Sequence, residues 1–150
     1  MSELAAINFT RGIPATESFP LDELVDAARA AIDHHGKAIL QYGPSPGFAP
    51  LREWLAHSQG VEPGQVLIGN GSLQVMEFLL WSQIQPGDVI FTEAPTYDRT
   101  ITLLRRHRAE VVGIPLQADG PDIDVLEAAL KQRVPKLFYI IPDFQNPAGT

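Results

Sequence analysis

Residues 66–97 read VLIGNGSLQVMEFLLWSQIQPGDVIFTEAPTY, and this stretch decides the fold. Val66, Leu67 and Ile68 predict a short buried strand. Gly69, Asn70 and Gly71 form a turn, because these residues tolerate the backbone angles of a tight reversal. Residues 72–84 are strongly apolar and predict a helix. Pro86, Gly87 and Asp88 make a second turn, and Val89, Ile90 and Phe91 a second strand. Strand, helix, strand in this order is the repeating unit of an α/β domain.

The alternation continues downstream. Residues 97–106 predict a helix, 111–114 a strand and 124–132 a helix with Ile123 and Val125 at its mouth. Residues 137–141 are apolar on both faces, which predicts a strand central in a parallel sheet. Upstream the pattern differs. Residues 8–19 hold Gly12 and Pro14 with no clear period and read as an extended arm. Leu21, Leu24, Val25, Ala28 and Ile32 give residues 21–35 the spacing of an amphipathic helix, with Pro20 at its start. Residues 42–50 are a Gly/Pro loop and 51–58 a short helix. The expected organisation is an arm, helix and loop over residues 1–50, then the first part of a larger α/β domain over 51–150. The last residues fall in a Gly/Pro turn directly after the last strand, from which a longer natural chain is expected.

Composition removes several function classes. The hydrophobic fraction of 45% and charged fraction of 19% are ordinary for a globular chain of 150 residues. A formal net charge of -7 opposes a nucleic-acid surface, which needs a basic face. The single basic run, Arg105-Arg106-His107-Arg108, falls where a helix should end and suits the negative end of its dipole. No apolar run is long enough to span a membrane, and the first nine residues show no leader pattern. With no cysteine, disulfide and thiolate chemistry are excluded. His34, His35, His57 and His107 lack metal-ligand spacing, so no metal site is expected.

Four segments carry candidate chemistry. Gly69-Asn70-Gly71-Ser72-Leu73-Gln74 follows a strand and opens a helix, where free amides and the helix dipole favour an anion. Ser72 suits either a helix cap or a phosphate donor. Gln74 stands where a dinucleotide fingerprint needs its third glycine, and no Gly-Lys-Ser/Thr follows. Ala94-Pro95-Thr96-Tyr97 follows a strand at the carboxyl edge, where open α/β sheets bind ligands. Tyr97 there can stack on a flat ring or pack its helix onto the sheet. In Asp143-Phe144-Gln145-Asn146-Pro147-Ala148-Gly149, the Asn146 amide can donate to a phenolic oxygen, and the bond to Pro147 permits a cis peptide. The same residues also suit a common Asn-Pro turn. Tyr42, ahead of Gly47 and Leu51-Arg52, can project its hydroxyl to a distant ligand or simply face solvent. Glu93 and Asp98 flank the Tyr97 turn and are expected to be solvated.

Taken in order, Tyr42-Gly47-Leu51-Arg52, Gly71-Ser72-Leu73-Gln74, Pro95-Thr96-Tyr97 and Asn146-Pro147-Ala148-Gly149 resemble the fold-type I pyridoxal-phosphate aminotransferases of class I/II. Gly12-Ile13-Pro14 and the Leu51-Arg52 helix resemble the aminoadipate and MocR-type branch. The resemblance implies an α-β-α sandwich with a mixed, mostly parallel sheet that binds pyridoxal 5'-phosphate (PLP). The segment before it would contribute to a small domain and to dimer contacts. By the same resemblance, Gly71, Ser72 and Leu73 hold the cofactor phosphate, Tyr97 stacks on the ring and Asn146 hydrogen-bonds the ring hydroxyl oxygen. Tyr42 would reach the neighbour's phosphate in a homodimer with a shared active site. Gly12 and Ile13, with Asn146, would lie beside the substrate.

The implied activity is transfer of an amino group between an amino acid and a 2-oxo acid, in the cytoplasm. The alternatives are a PLP-binding effector domain of a MocR-like transcription regulator, or another fold-type I enzyme such as a decarboxylase or lyase. In this family the Schiff-base lysine, the acid beside the pyridine nitrogen and the carboxylate-binding arginine follow the Asn-Pro turn. Lys37, Lys131 and Lys136 are therefore not expected to carry the chemistry, and the 150-residue chain alone is expected to be inactive.

Overall fold

The computed structural model describes residues 14–149, so Gly12 and Ile13 lie outside the described residues. The chain divides into two compact units, Met1–Pro63 and Gly64–Thr150.

In the first unit, α1 spans Leu21–Ile39 and α2 spans Ala49–Gln59. α1 runs past the predicted end at residue 35, because a single glycine at Gly36 weakens a helix by only about 1 kcal/mol relative to alanine. Its apolar stripe of Leu21, Leu24, Val25 and Ile32 is exposed. The His35 ring meets Phe48 edge-on at 5.3 Å, which joins α1 to the start of α2. Pro50 sits in the first turn of α2, where its missing N–H costs nothing. Gly60 ends the helix in the left-handed conformation, and the Arg52 guanidinium donates to the Pro63 carbonyl just beyond.

The second unit runs α3 (Ser72–Gln83), β1 (Val89–Ala94), α4 (Asp98–Arg106), β2 (Glu110–Gln117), β3 (Gly120–Pro121), α5 (Ile123–Gln132) and β4 (Leu137–Tyr139). The sheet order is β3-β2-β1-β4. β1 is parallel to both β2 and β4, with Val89 opposite Glu110 and Ile90 opposite Leu137. Among the described residues, only the two-residue β3 is antiparallel, against β2. This is the mixed, mostly parallel α/β sheet that the sequence predicts.

Packing follows the alternation of β1. Ile90 is fully buried with Leu80 and Ile84 from the α3 side and Leu103 and Leu104 from α4. Each such side chain contributes roughly 1.5–3 kcal/mol by leaving water. Its neighbour Phe91 points the other way, edge-on to Phe138 at 6.3 Å. On α4 the buried residues are Thr100, Leu103 and Leu104, spaced as one helical face.

Two expectations are corrected. Val66, Leu67 and Ile68 are not a strand: no ladder of the described sheet includes them, and half of Leu67 is exposed. Their apolar character supplies β propensity, but a strand exists only beside a partner. β4 is shorter than predicted and, among the described residues, pairs only with β1. The central place belongs to β1, whose four middle residues are all buried. The Ile141 amide leaves the ladder direction to meet a side chain of β1, and Pro142 follows without an N–H.

Candidate functional site

The parallel strands β1 and β4 deliver their following turns to one edge of the sheet. α3 joins β1 through residues 84–88 and packs Leu80 into the same core as Ile90. It therefore runs back along the strand, and its N-terminus lies at that same carboxyl edge. Three turns thus meet one edge: 69–71, 95–97 and 140–149.

The first turn is shaped by two glycines. Gly71 has φ 87°, a left-handed region that glycine enters freely. A side chain at Gly69 would put its Cβ 2.7 Å from Val75 Cγ2, so the turn is folded tightly against α3. The Asn70 amide donates to Gln74 Oε1 at 2.7 Å, which pins the loop to the helix. Gly71, not Ser72, is the N-cap, and no side chain caps the helix. Of the two readings of Ser72, helix cap or phosphate donor, the cap is set aside: Ser72 occupies the first helical position. Gly71, Ser72 and Leu73 are exposed, and nothing lies within 4 Å of a Cβ built on Gly71. Approach to these amides is open, as binding of an anion at a helix N-terminus requires.

Tyr97 is the N-cap residue of α4 and is only half-buried, so its ring is not consumed by packing. Its carbonyl accepts from the amides of Thr100 at 3.1 Å and Ile101 at 3.4 Å. Beside it, Thr96 Oγ1 is buried with no hydrogen-bond partner among the described residues. Asn146 is exposed in the turn after β4. The peptides Ala94–Pro95 and Asn146–Pro147 are both cis.

Two residues at this edge were not foreseen. Glu93 is not solvated as expected but 4% exposed, and Gln145 is 3% exposed. Glu93 Oε2 accepts from the Ile141 amide at 3.2 Å and from Gln145 Nε2 at 2.9 Å. Asp98, by contrast, is exposed. The one sequence signal for Glu93 was its place in the otherwise uncharged run VIFTEA.

Tyr42, in the first unit, is completely exposed. Its amide donates to Gln41 Oε1 at 2.9 Å. Lys131 lies in the last turn of α5 and pairs with Glu127 at 3.8 Å. The Lys136 amide donates to the Val89 carbonyl at 2.8 Å. Both lysines of the second unit therefore sit at the amino edge of the sheet, away from the three turns.

The sheet, with turns bearing the exposed Ser72, the half-buried Tyr97 and the exposed Asn146 at its carboxyl edge, defines an α/β protein with open polar and aromatic groups along that edge. The chain belongs to the aminotransferase class I and II family, whose sequence pattern matches residues 6–150. A 2-aminoadipate transaminase of Thermus thermophilus is 38% identical over 143 residues, which cover 95% of this chain and 36% of that protein. Aromatic-amino-acid aminotransferase 1 of Thermococcus litoralis is 34% identical, over 95% of this chain and 37% of that protein. Among solved structures, the alpha-aminoadipate aminotransferase of Thermus thermophilus, complexed with N-(5'-phosphopyridoxyl)-L-leucine, superposes with a TM-score of 0.87. It is 39% identical, with 94% of this chain and 36% of that chain covered. The fold is that of the fold-type I aminotransferases. This chain spans little more than a third of the length of these relatives.

Proposed function

We propose that these residues form the phosphate- and ring-binding edge of a PLP enzyme that moves an amino group between an amino acid and a 2-oxo acid. The observation that carries this is the convergence of the 69–71, 95–97 and 140–149 turns on one carboxyl edge, in a chain of the aminotransferase family. PLP, when bound, supplies the carbonyl that takes up the amino group and the electron-poor ring that eases loss of the substrate's α-proton.

This chain's residues bind and orient. The amides of Gly71, Ser72 and Leu73, with the Ser72 hydroxyl, hold the phosphate at the positive end of the α3 dipole. Tyr97 covers one face of the ring and keeps water from it. Asn146 donates to the phenolic oxygen and holds its negative charge. Tyr42 reaches the phosphate bound by the other subunit of a homodimer, for which its complete exposure leaves it free. Gly12 and Ile13, with Asn146, stand beside the substrate. Residues 1–50, the arm, helix and loop, serve the small domain and dimer contacts. Lys131, in the last turn of α5, and Lys136, just before β4, lie at the amino edge of the sheet, so neither is placed to hold the cofactor covalently at this edge.

The test is the intact mass of the protein from its natural source after borohydride reduction with PLP. We expect one covalent pyridoxyl group per chain, and transfer of the amino group to a 2-oxo acid. Absence of any specific adduct, together with no absorbance change on adding PLP, would overturn the proposal.

A further inference from the structure

Glu93 and Gln145 are both buried at the carboxyl edge, and none of the contacts assigned above uses them. Their hydrogen bonds nonetheless link the ends of β1 and β4 with the turns that follow them. Gln145 Nε2 donates to Glu93 Oε2 and to the Pro95 carbonyl, each at 2.9 Å. Gln145 Oε1 accepts from the Ala148 amide at 2.8 Å. The Gln145 carbonyl accepts from the Gly149 amide at 2.6 Å. Glu93 Oε2 takes the Ile141 amide as well, at 3.2 Å.

One side-chain amide therefore spends its two hydrogens on the end of β1 and on the turn that leads to Tyr97, and its oxygen on the turn that carries Asn146. Pro95 is two residues before Tyr97, and Gln145 is the residue before Asn146. A buried polar network that is satisfied in this way is stiff, because any displacement leaves a desolvated donor or acceptor unpaired. A planar ring must be met by both groups at once, and small errors of placement matter at such sites.

We propose that Glu93 and Gln145 are positioning residues that hold Asn146 in register with Tyr97, so that the two meet the same cofactor ring. Gln145 is the bridge, and Glu93 anchors it to β1, the most buried strand. The proposal rests on the assignment of Tyr97 and Asn146 as ring contacts.

The experiment compares the full-length protein with Gln145→Met, which fills the space without the hydrogen bonds, and Gln145→Asn, which withdraws the amide by one methylene. Glu93→Ala removes the acceptor for both the Gln145 side chain and the Ile141 amide. Three quantities are read: the PLP dissociation constant of the apoprotein, the pH titration of the bound cofactor's absorbance, and the affinity for inorganic phosphate, which needs the 69–73 turn but no ring contact. Gln145→Met should weaken PLP binding about tenfold, the effect of one lost buried hydrogen-bonded partner, and shift the absorbance titration. Gln145→Asn should shift both in the same direction. Glu93→Ala should shift PLP affinity and the absorbance titration in the same direction as Gln145→Met, and phosphate affinity should stay within about twofold in all three variants.

Unchanged PLP affinity and absorbance titration in Gln145→Met would overturn the proposal. So would an equal loss of phosphate affinity, which would mean general damage. If the wild-type protein does not bind PLP, the assignment of the ring contacts fails first and this inference falls with it.

Discussion

His107 Nε2 stands 3.2 Å from Glu77 Oε1, so the residue that ends α4 is tied to the middle of α3. Both side chains are largely buried, and Glu77 Oε2 has no hydrogen-bond partner among the described residues. Removing the imidazole would leave a poorly solvated carboxylate. His107→Ala should lower the unfolding free energy by roughly 1–3 kcal/mol. Combining it with Glu77→Gln should recover part of that loss. Urea denaturation of the two single variants and the double variant measures the coupling, and strictly additive losses would show that the contact contributes nothing.

Leu80 has no exposed surface and packs with Ile84, Ile90, Leu103 and Leu104. Leu80→Ala should cost about 2–5 kcal/mol, as transfer and cavity terms combine. Val134, 83% exposed, is the matched control, and its alanine variant should stay within about 0.5 kcal/mol. Guanidinium denaturation of both decides; a small effect at Leu80 would contradict the core described here.

Gly69 has no room for a side chain because Val75 is branched at Cβ and stiff in a helix. Gly69→Ala should displace the turn before α3 and weaken PLP binding by the full-length protein. A tenfold loss would correspond to about 1.4 kcal/mol. Adding Val75→Ala removes the clashing methyl and should restore affinity. Equal weakening in the single and double variants would show that the contact is not the cause.

Asp122 caps α5: Oδ1 accepts from the Val125 amide at 3.1 Å and Oδ2 from Gln117 Nε2 at 2.8 Å. The Val125 amide first, and Gln117 second, hold its carboxyl below the ordinary aspartate value. A carboxyl lowered on folding stabilises the native state above its unfolded value, and that contribution disappears as pH falls through the lowered one. Asp122→Ala should therefore shift the urea midpoint down at pH 7, and the gap to wild type should narrow below about pH 4. A gap that stays constant down to about pH 2 would contradict the charge-based part of the cap.

What could be read from the sequence was whatever rests on local period. The α3–β1–α4 alternation is written in the spacing of Leu80, Ile84, Ile90, Leu103 and Leu104, and a parallel alternation places Tyr97 and Asn146 at one edge without further information. Properties that depend on a distant partner were not legible. Val66 to Ile68 have the composition of a strand but no neighbour in the described sheet. Ser72 has the chemistry of a cap, yet Gly71 with its positive φ takes that place. Glu93 looks solvated beside Asp98, because the side chain that satisfies it is 52 residues away.

That separation also orders the birth of the molecule. β1 has its first neighbour as soon as β2 is made, but its last buried residue must wait for residue 145 to leave the ribosome. At ordinary rates of synthesis the interval from Gln117, the end of β2, to Gln145 is about 1–6 s. For that time the nascent sheet carries an acidic side chain at its open flank, which keeps water, and disfavours another chain's strand, beside β1 until its own β4 arrives.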